Sequence, residues 1–387
     1  MSSRILLAVL CIALGLGPLA ARAFETRARE ALVVDHDTGM ILLEKDADTP
    51  MPPASMSKLM TLYMLFEAIR DGRVELDTAF SVSPRAQAMG GSRMFVEAGT
   101  SVPVEALIHG IITQSGNDAC VVVAEGLAGS EPVFAEQMTK RAHDLGMRNS
   151  TFRNASGWPE EGHMMSARDL VIIASHIIDD FPDYYPFFEE TEFTWNGITQ
   201  PNRNPLLKLG IGVDGLKTGH TAEAGYGLVG SAVQNGQRII FMVTGLASER
   251  ARAEETEAIV KWAFGAFDTV RFYDRGQEIA QADVWLGEAP FVPIVAPKDL
   301  QMLVPREERP GMKARVLYSG PIEAPIAEGQ KLATLRVEVP GKQPVDFDLV
   351  AGAEVPRGGL MTRINAAARL TRDRALAYLP GGGEPSN

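Results

Sequence analysis

Apolar positions follow three different rhythms along this chain. The segment "ALVVDHDTGMILLEKDAD" has two apolar runs around Asp37-Thr38-Gly39, which predicts a β-hairpin. Prolines at 50, 52 and 53 then lead into a helix whose Met56, Leu59, Met60, Leu62, Tyr63, Met64 and Leu65 form a core-bound face. From Pro103 to Ala128 the pattern is helical on both sides of Ser115-Gly116-Asn117, so that triplet reads as a loop between helices. "YGLVGSAVQNGQRIIFMVTGLA" places two strand-like runs around Asn235-Gly236, and "ERARAEETEAIVKWAFGAF" reads as an amphipathic helix. Helices enclosed between N-terminal and C-terminal hairpins predict one α+β domain over 24–274, its antiparallel sheet built from both ends of the segment.

Near residue 275 the rhythm changes to short alternating runs: Leu300, Met302, Val304; Ala314, Val316, Tyr318; Leu335, Val337, Val339; and Val345, Phe347, Leu349. Proline and glycine punctuate them, which predicts a small all-β domain over 275–355. In "GGLMTRINAAARLTRDRALAYL" Leu360, Met361, Ile364, Ala368, Ala375, Tyr378 and Leu379 share a helical face, with arginines off it. This predicts a basic amphipathic helix over 356–379 that lies on a membrane surface rather than on its own β domain, followed by a disordered tail, 380–387.

The first residues define a compartment. Arg4, the apolar run Ile5–Leu19 and the small-residue site Ala21-Arg22-Ala23 read as a signal peptide, 1–23, with Phe24 the first mature residue. A membrane anchor is the rival reading, but the run is short for a span and the small-residue site follows at once, which favours cleavage. Cleavage removes Cys11 and leaves Cys120 alone, so no internal disulfide is expected. A formal charge of -12 argues against a nucleic-acid partner.

Three short motifs have the residue types that histidine-free serine acyl transfer requires: Ser55-Met56-Ser57-Lys58, Ser115-Gly116-Asn117 and Lys217-Thr218-Gly219. A lone S-x-x-K is weak, since a chain this long carries about one or two by chance. Together, in this order, the three are specific. Residues three apart share a helical face, so the Lys58 amine can reach the Ser55 hydroxyl. To act as a base the lysine must be neutral, and burial among Met and Leu side chains plus a second cation at Lys217 would lower its pKa. Ser115 suits a proton relay between Lys58 and the leaving amine, and Asn117 offers an amide to hold the lysine or the substrate. "DGLKTGHT" reads as an extended segment along which a substrate backbone could pair, with Lys217 and Thr218 attracting its carboxylate.

These motifs, with "ITQSGNDAC", "SARDL", "PNRNPLL", "VDGLKTGHTAEAGYGLVGSA" and "KWAFGAFDTV", resemble the low-molecular-mass penicillin-binding proteins that are serine-type D-alanyl-D-alanine carboxypeptidases. The resemblance spans almost the whole mature chain. It implies the α+β fold of β-lactamases and transpeptidases, with helices on both faces of an antiparallel sheet and a helical subdomain, before the all-β domain and terminal helix. It also implies Ser55 as the acylated nucleophile, Lys58 as base, Ser115 as relay, and Lys217, Thr218 and Gly219 as carboxylate-binding segment. An oxyanion hole from the backbone N–H groups of Ser55 and His220 follows in the same way, with Arg203 and Arg252 as further carboxylate-binding or loop-ordering residues. The implied partners are the D-Ala-D-Ala end of a peptidoglycan stem peptide and β-lactams as covalent inhibitors. No cofactor is implied.

Other readings compete. Ser57 is out of phase with Lys58 and reads as support for the helix start. His220 reads as a cleft wall rather than a base, since lysine fills that role. The histidines show no zinc-peptidase spacing. Cys120 reads as a buried structural thiol, and Ser166 as a helix cap. A β-lactamase would need a deacylating glutamate in an E-x-x-L-N pattern; Glu192-Phe193-Thr194-Trp195-Asn196 matches only its outer residues, within a strand-like run. A non-catalytic peptidoglycan binder is the remaining alternative, and no expected catalytic residue is missing to support it.

Overall fold

A computed structural model describes residues 24–359. The expected signal peptide, the tail and all but the first residues of the expected terminal helix lie outside the described residues.

In chain order the first region comprises β1 (Glu30–Asp35), β2 (Ile41–Lys45), α1 (Lys58–Arg70), β3 (Ala79–Ser81), α2 (Pro84–Ala88), β4 (Ser101–Pro103), α3 (Val104–Ile112), α4 (Asn117–Ala128), α5 (Glu131–Asp144) and α6 (Ala167–Asp180). It continues with β5 (Glu192–Trp195), β6 (Ile198–Pro201), β7 (Val213–Thr221), β8 (Gly225–Gln234), β9 (Gln237–Leu246) and α7 (Glu249–Ala266). Five strands form an antiparallel sheet in the order β2-β1-β9-β8-β7. The two hairpins read from the sequence therefore meet through β1 and β9, as expected for a sheet drawing on both ends of the region. The β8–β9 turn uses left-handed backbone at Asn235 and Gly236, which these residues tolerate.

Alternation along the strands explains why both faces of the sheet are covered. Leu32, Val34, Val229, Ile240 and Met242 point into a core shared with α1 and α3–α6. Ala31, Val33, Leu228, Ile239, Phe241 and Val243 point the other way, into a core with Ile259, Val260 and Ala263 of α7 that continues into the C-terminal region. Helix α1 is buried nearly all round, so it runs through the first core rather than across its surface.

The C-terminal region contains β10 (Phe267–Tyr273), β11 (Glu278–Trp285), β12 (Phe291–Val295), β13 (Leu300–Pro305), β14 (Lys313–Tyr318), β15 (Ile322–Glu323), β16 (Lys331–Glu338) and β17 (Val345–Ala351). Strand β10 pairs with β13, so the all-β organisation already starts at Phe267 rather than near 275. Most of the expected inward faces are buried, among them Met302, Val304, Leu335, Val337, Phe347 and Leu349. The Ala314-Val316-Tyr318 face is not: β14 is the edge of a six-stranded sheet, and Tyr318 is 45% exposed. A second correction concerns the start of the terminal helix. Arg357 bridges to Gly287 and the Gly358 N–H donates to Leu286 O, so 356–359 run along the β domain instead of opening a helix. Among the described residues no helix is long and apolar enough to cross a membrane.

Candidate active site

Ser55 lies in a 3-10 turn, Ala54–Ser57, and α1 begins only at Lys58. The nucleophile candidate therefore sits just ahead of the helix, not within its first turn. Three-residue spacing still aligns the pair, because residues i and i+3 eclipse in a 3-10 turn. The Lys58 Nζ is 2.8 Å from Ser55 Oγ. Ala54 is held in left-handed backbone (φ 49), a strained conformation for alanine next to the nucleophile.

Lys58 is fully buried and meets two further oxygens: Asn117 Oδ1 at 2.7 Å and the Ser156 carbonyl at 2.5 Å. The Asn117 amide is oriented by its Nδ2 donating to Gly90 O at 2.8 Å, which leaves Oδ1 facing the lysine. A neutral amine has two N–H donors and one lone pair. Asn117 Oδ1 and the Ser156 carbonyl can only accept, so they take both donors, and the lone pair is left for the Ser55 O–H. Burial, first, and the Arg203 charge, second among the lowering influences, bring the Lys58 pKa down to about 8, against the smaller opposing pull of Asp118. Cys120 would also favour the ammonium, but only as a thiolate; burial pushes its thiol up to about 12, so it is uncharged where Lys58 titrates. The sequence reading of a deprotonable lysine thus agrees with the geometry, with burial rather than Lys217 as the leading cause.

Ser115 also adopts left-handed backbone (φ 58), in the turn between α3 and α4, and its buried hydroxyl has no hydrogen-bond partner among the described residues. Asn117 is the first residue of α4 rather than part of the loop. Asp118 fastens this helix start to the neighbouring segment, accepting the N–H groups of Met94, Phe95 and Val96 at 2.8–3.2 Å.

Lys217 and Thr218 are buried on β7, the edge strand of the sheet. Gly219 faces the nucleophile turn: a Cβ there would come within 3.0 Å of Pro53 O and Met56 Cγ, so glycine lets the strand approach the turn. Burial, then the neighbouring Lys58, Arg203 and Arg252 charges, hold the Lys217 pKa well below the ordinary lysine value. Among the described residues its amine has one hydrogen-bond partner, the Thr218 carbonyl at 3.3 Å. His220 is exposed and stacks on Tyr226 with ring centroids 3.8 Å apart. The Arg252 guanidinium lies 5.8 Å from the Tyr226 ring and donates to Arg203 O at 3.2 Å, while Arg203 donates to Ser92 Oγ at 2.5 Å. Burial makes the charged form of both arginines less favourable. The outcome is a local concentration of cations in an otherwise acidic protein, suited to a carboxylate.

Several contributors escaped the sequence reading. The Asn154–Gly157 turn supplies the Ser156 carbonyl, and Asn154 Oδ1 accepts the N–H groups of Ser156, Gly157 and Trp158 at 2.9–3.2 Å. An Asn three residues before a Gly is an available turn signal, but only the fold shows that this turn abuts Lys58. Ser57 occupies the N-cap position yet makes no capping bond; its hydroxyl instead meets His163 Nε2 at 3.1 Å. Ser166 does cap α6, accepting from the Asp169 N–H. Glu192 and Asn196 fall on the β5–β6 hairpin, with Glu192 exposed, whereas among the described residues Lys58 hydrogen-bonds to no carboxylate.

The comparisons with known proteins agree with this geometry. The model of a family described as D-alanyl-D-alanine carboxypeptidase matches residues 18–248, and that of the penicillin-binding protein 5 C-terminal domain matches residues 267–357, starting with β10. D-alanyl-D-alanine carboxypeptidase DacA of Escherichia coli strain K12 is 36% identical over 345 residues, covering 87% of this chain and 86% of that protein. DacF of Bacillus subtilis strain 168 is 33% identical over 340 residues, covering 87% of each. The solved penicillin-binding protein 5 of Haemophilus influenzae is 34% identical with a TM-score of 0.76, over 86% of this chain and 98% of that one. Penicillin-binding protein 6B of Escherichia coli is 33% identical with a TM-score of 0.69, over 86% and 98%. With the domain order, the fold and the lysine-serine geometry all in accord, this chain belongs to the family of serine-type D-alanyl-D-alanine carboxypeptidases.

Proposed function

We propose that this protein binds the D-Ala-D-Ala end of a peptidoglycan stem pentapeptide and releases the terminal D-alanine through an acyl-enzyme on Ser55. The observation that carries this assignment is the buried Lys58 amine, whose two N–H donors are occupied by fixed acceptors while its lone pair faces the Ser55 hydroxyl. Lys58 takes the Ser55 proton as Oγ bonds to the penultimate carbonyl carbon. The backbone N–H groups of Ser55 and His220 hold the oxyanion. The C–N bond then breaks, and Ser115 passes the proton to the departing D-alanine nitrogen. Water hydrolyses the ester, returning the proton to Ser55 and leaving a tetrapeptide. Lys217, Thr218 and the Gly219 approach bind the terminal carboxylate along the open edge of β7, with Arg203 and Arg252 contributing positive potential and Asn117 ordering Lys58.

A penicillin presents a strained amide and a carboxylate to the same groups, so it acylates Ser55. Glu192 is exposed on a hairpin and, among the described residues, no glutamate hydrogen-bonds to Lys58 to support rapid deacylation, so penicillin turnover is slow. The site lies outside the cytoplasm in this reading, with residues after Gly359 holding the protein to the membrane surface. The test is incubation with a fluorescent penicillin, a stem pentapeptide and a cross-linked dimer. Covalent labelling lost in Ser55→Ala and D-alanine release are expected; labelling that survives the substitution, or dominant β-lactam hydrolysis, would overturn the assignment.

A further inference from the structure

The loop from Asn154 to His163 brings the Ser156 carbonyl to Lys58, and its two ends are held by different means. At the first end Asn154 Oδ1 gathers three backbone N–H groups, and the Ala155 N–H donates to the buried Glu131 Oε1 at 3.0 Å. At the far end His163, only 3% exposed, reaches back to the nucleophile turn through Nε2 and Ser57 Oγ. Its tautomer follows from the other ring nitrogen. The Arg153 N–H points at Nδ1 from 3.3 Å, so Nδ1 accepts and the hydrogen resides on Nε2, which donates to Ser57 Oγ. The charges facing the ring are Lys58 from α1 and Arg153 from its own loop; with burial as the leading cause they lower its pKa to about 4, so it is neutral at working pH. Phe152 packs its ring at a steep angle on the imidazole, 5.5 Å between centroids, which limits its rotation.

We propose that His163 is a positioning residue for the Ser55–Lys58 pair: as an Nε2–H donor to Ser57 it fastens the loop carrying the Ser156 carbonyl to the turn carrying the nucleophile. The proposal rests on the reading of Lys58 as the base. Ser57 lies between Ser55 and Lys58 in the chain, so a bond to its side chain constrains the turn where the lone pair must stay aimed. With both ring nitrogens engaged, His163 has none free to act as a base itself. Loosening this end lets the Ser156 carbonyl withdraw, leaves a Lys58 N–H without its partner and admits water to the amine. The groups that then set the Lys58 titration are those already facing it: Arg203, Lys217, Asp118 and the neutral Cys120.

The test measures the rate of acylation by a fluorescent penicillin against pH in wild type, His163→Leu, His163→Gln and Ser57→Ala. For His163→Leu a loss of about 10- to 100-fold is expected, as for a small misplacement of reacting groups, with the midpoint of the pH profile moved upward because hydration favours the ammonium. His163→Gln, whose amide can both donate to Ser57 and accept from Arg153, restores rate and midpoint. Ser57→Ala moves both in the same direction as His163→Leu, and the two changes are not additive when combined. A wild-type rate and midpoint in His163→Leu overturns the proposal, as does a Gln variant as impaired as the Leu one. Should His163→Leu not fold, an unshifted midpoint in Ser57→Ala overturns it. An unlabelled wild type overturns the underlying reading of Ser55 and Lys58, whereas a labelled wild type with an indifferent His163 overturns this inference alone.

Discussion

Raising the pH should switch on acylation along the titration of one buried amine. Lys58 falls from an ordinary value of 10.5 to about 8, chiefly because its ammonium is removed from water. About one-tenth of it is therefore neutral at about pH 7, against about one in three thousand for an unshifted lysine, a gain of about 300-fold in active base. The same shift corresponds to about 3 kcal/mol of disfavoured charge. Stopped-flow acylation by a fluorescent penicillin, run from about pH 6 to about pH 10, should show a rate rising nearly tenfold per unit and levelling above the Lys58 midpoint. Lys217 supplies a second limb. Its charge is also disfavoured by burial and by the nearby cations, so binding of a carboxylate should weaken as it deprotonates, and an arriving carboxylate should restore its charge. The rise belongs to the acylation step and the fall to binding, which concentration dependence at each pH separates. A rate that is flat over this range, or a rising limb centred near the ordinary lysine value, would refute the reasoning that burial prepares Lys58 as the base.

Three further outcomes follow from the structure. Gly157→Ala should unfold the protein at lower temperature and slow penicillin labelling, because its Cβ would lie 1.9 Å from Ala54 O in a residue at φ +75; the backbone strain alone costs about 1–3 kcal/mol, and a wild-type melting temperature with wild-type labelling would contradict it. Asp35 is buried where β1 meets the C-terminal region, accepting from Leu303 N–H and Gln237, and burial raises its pKa from 3.8 to about 6. Its native state binds the proton more tightly than the unfolded chain, so its contribution declines as pH rises from about 4 to about 6, by about 3 kcal/mol at most. His163, lowered from 6.5 to about 4, acts oppositely: its contribution is present above about pH 6.5 and is lost as pH falls through about 4. The two slopes offset each other in wild type, so Asp35→Asn should make denaturant stability climb with pH across that window; an unchanged slope would sink the claim. A chain ending at Gly359 should leave the membrane pellet on fractionation, and one that remains there would refute anchoring by the residues beyond.

Local chemistry made much of this molecule readable without coordinates. The hairpins at Asp37-Thr38-Gly39 and Asn235-Gly236, the Ser166 cap and the S-x-x-K pair depend on neighbours within a few residues, and such preferences survive in any tertiary setting. The residue types in the three motifs likewise announce serine acyl transfer. What sequence could not specify is which distant groups meet. The Ser156 carbonyl is 98 residues from Lys58, and although Asn154 signals a turn, nothing local to it specifies that this turn abuts the lysine. Ser57 reads as support for the helix start and does occupy the N-cap position, but a buried histidine 106 residues away takes its hydroxyl. The alternation in β14 is as regular as in its neighbours, yet an edge strand buries little of it. Burial itself decided the central question: an apolar flank suggests that Lys58 is desolvated, but its pKa depends on the oxygens, cations and excluded water that only the packed fold brings around it.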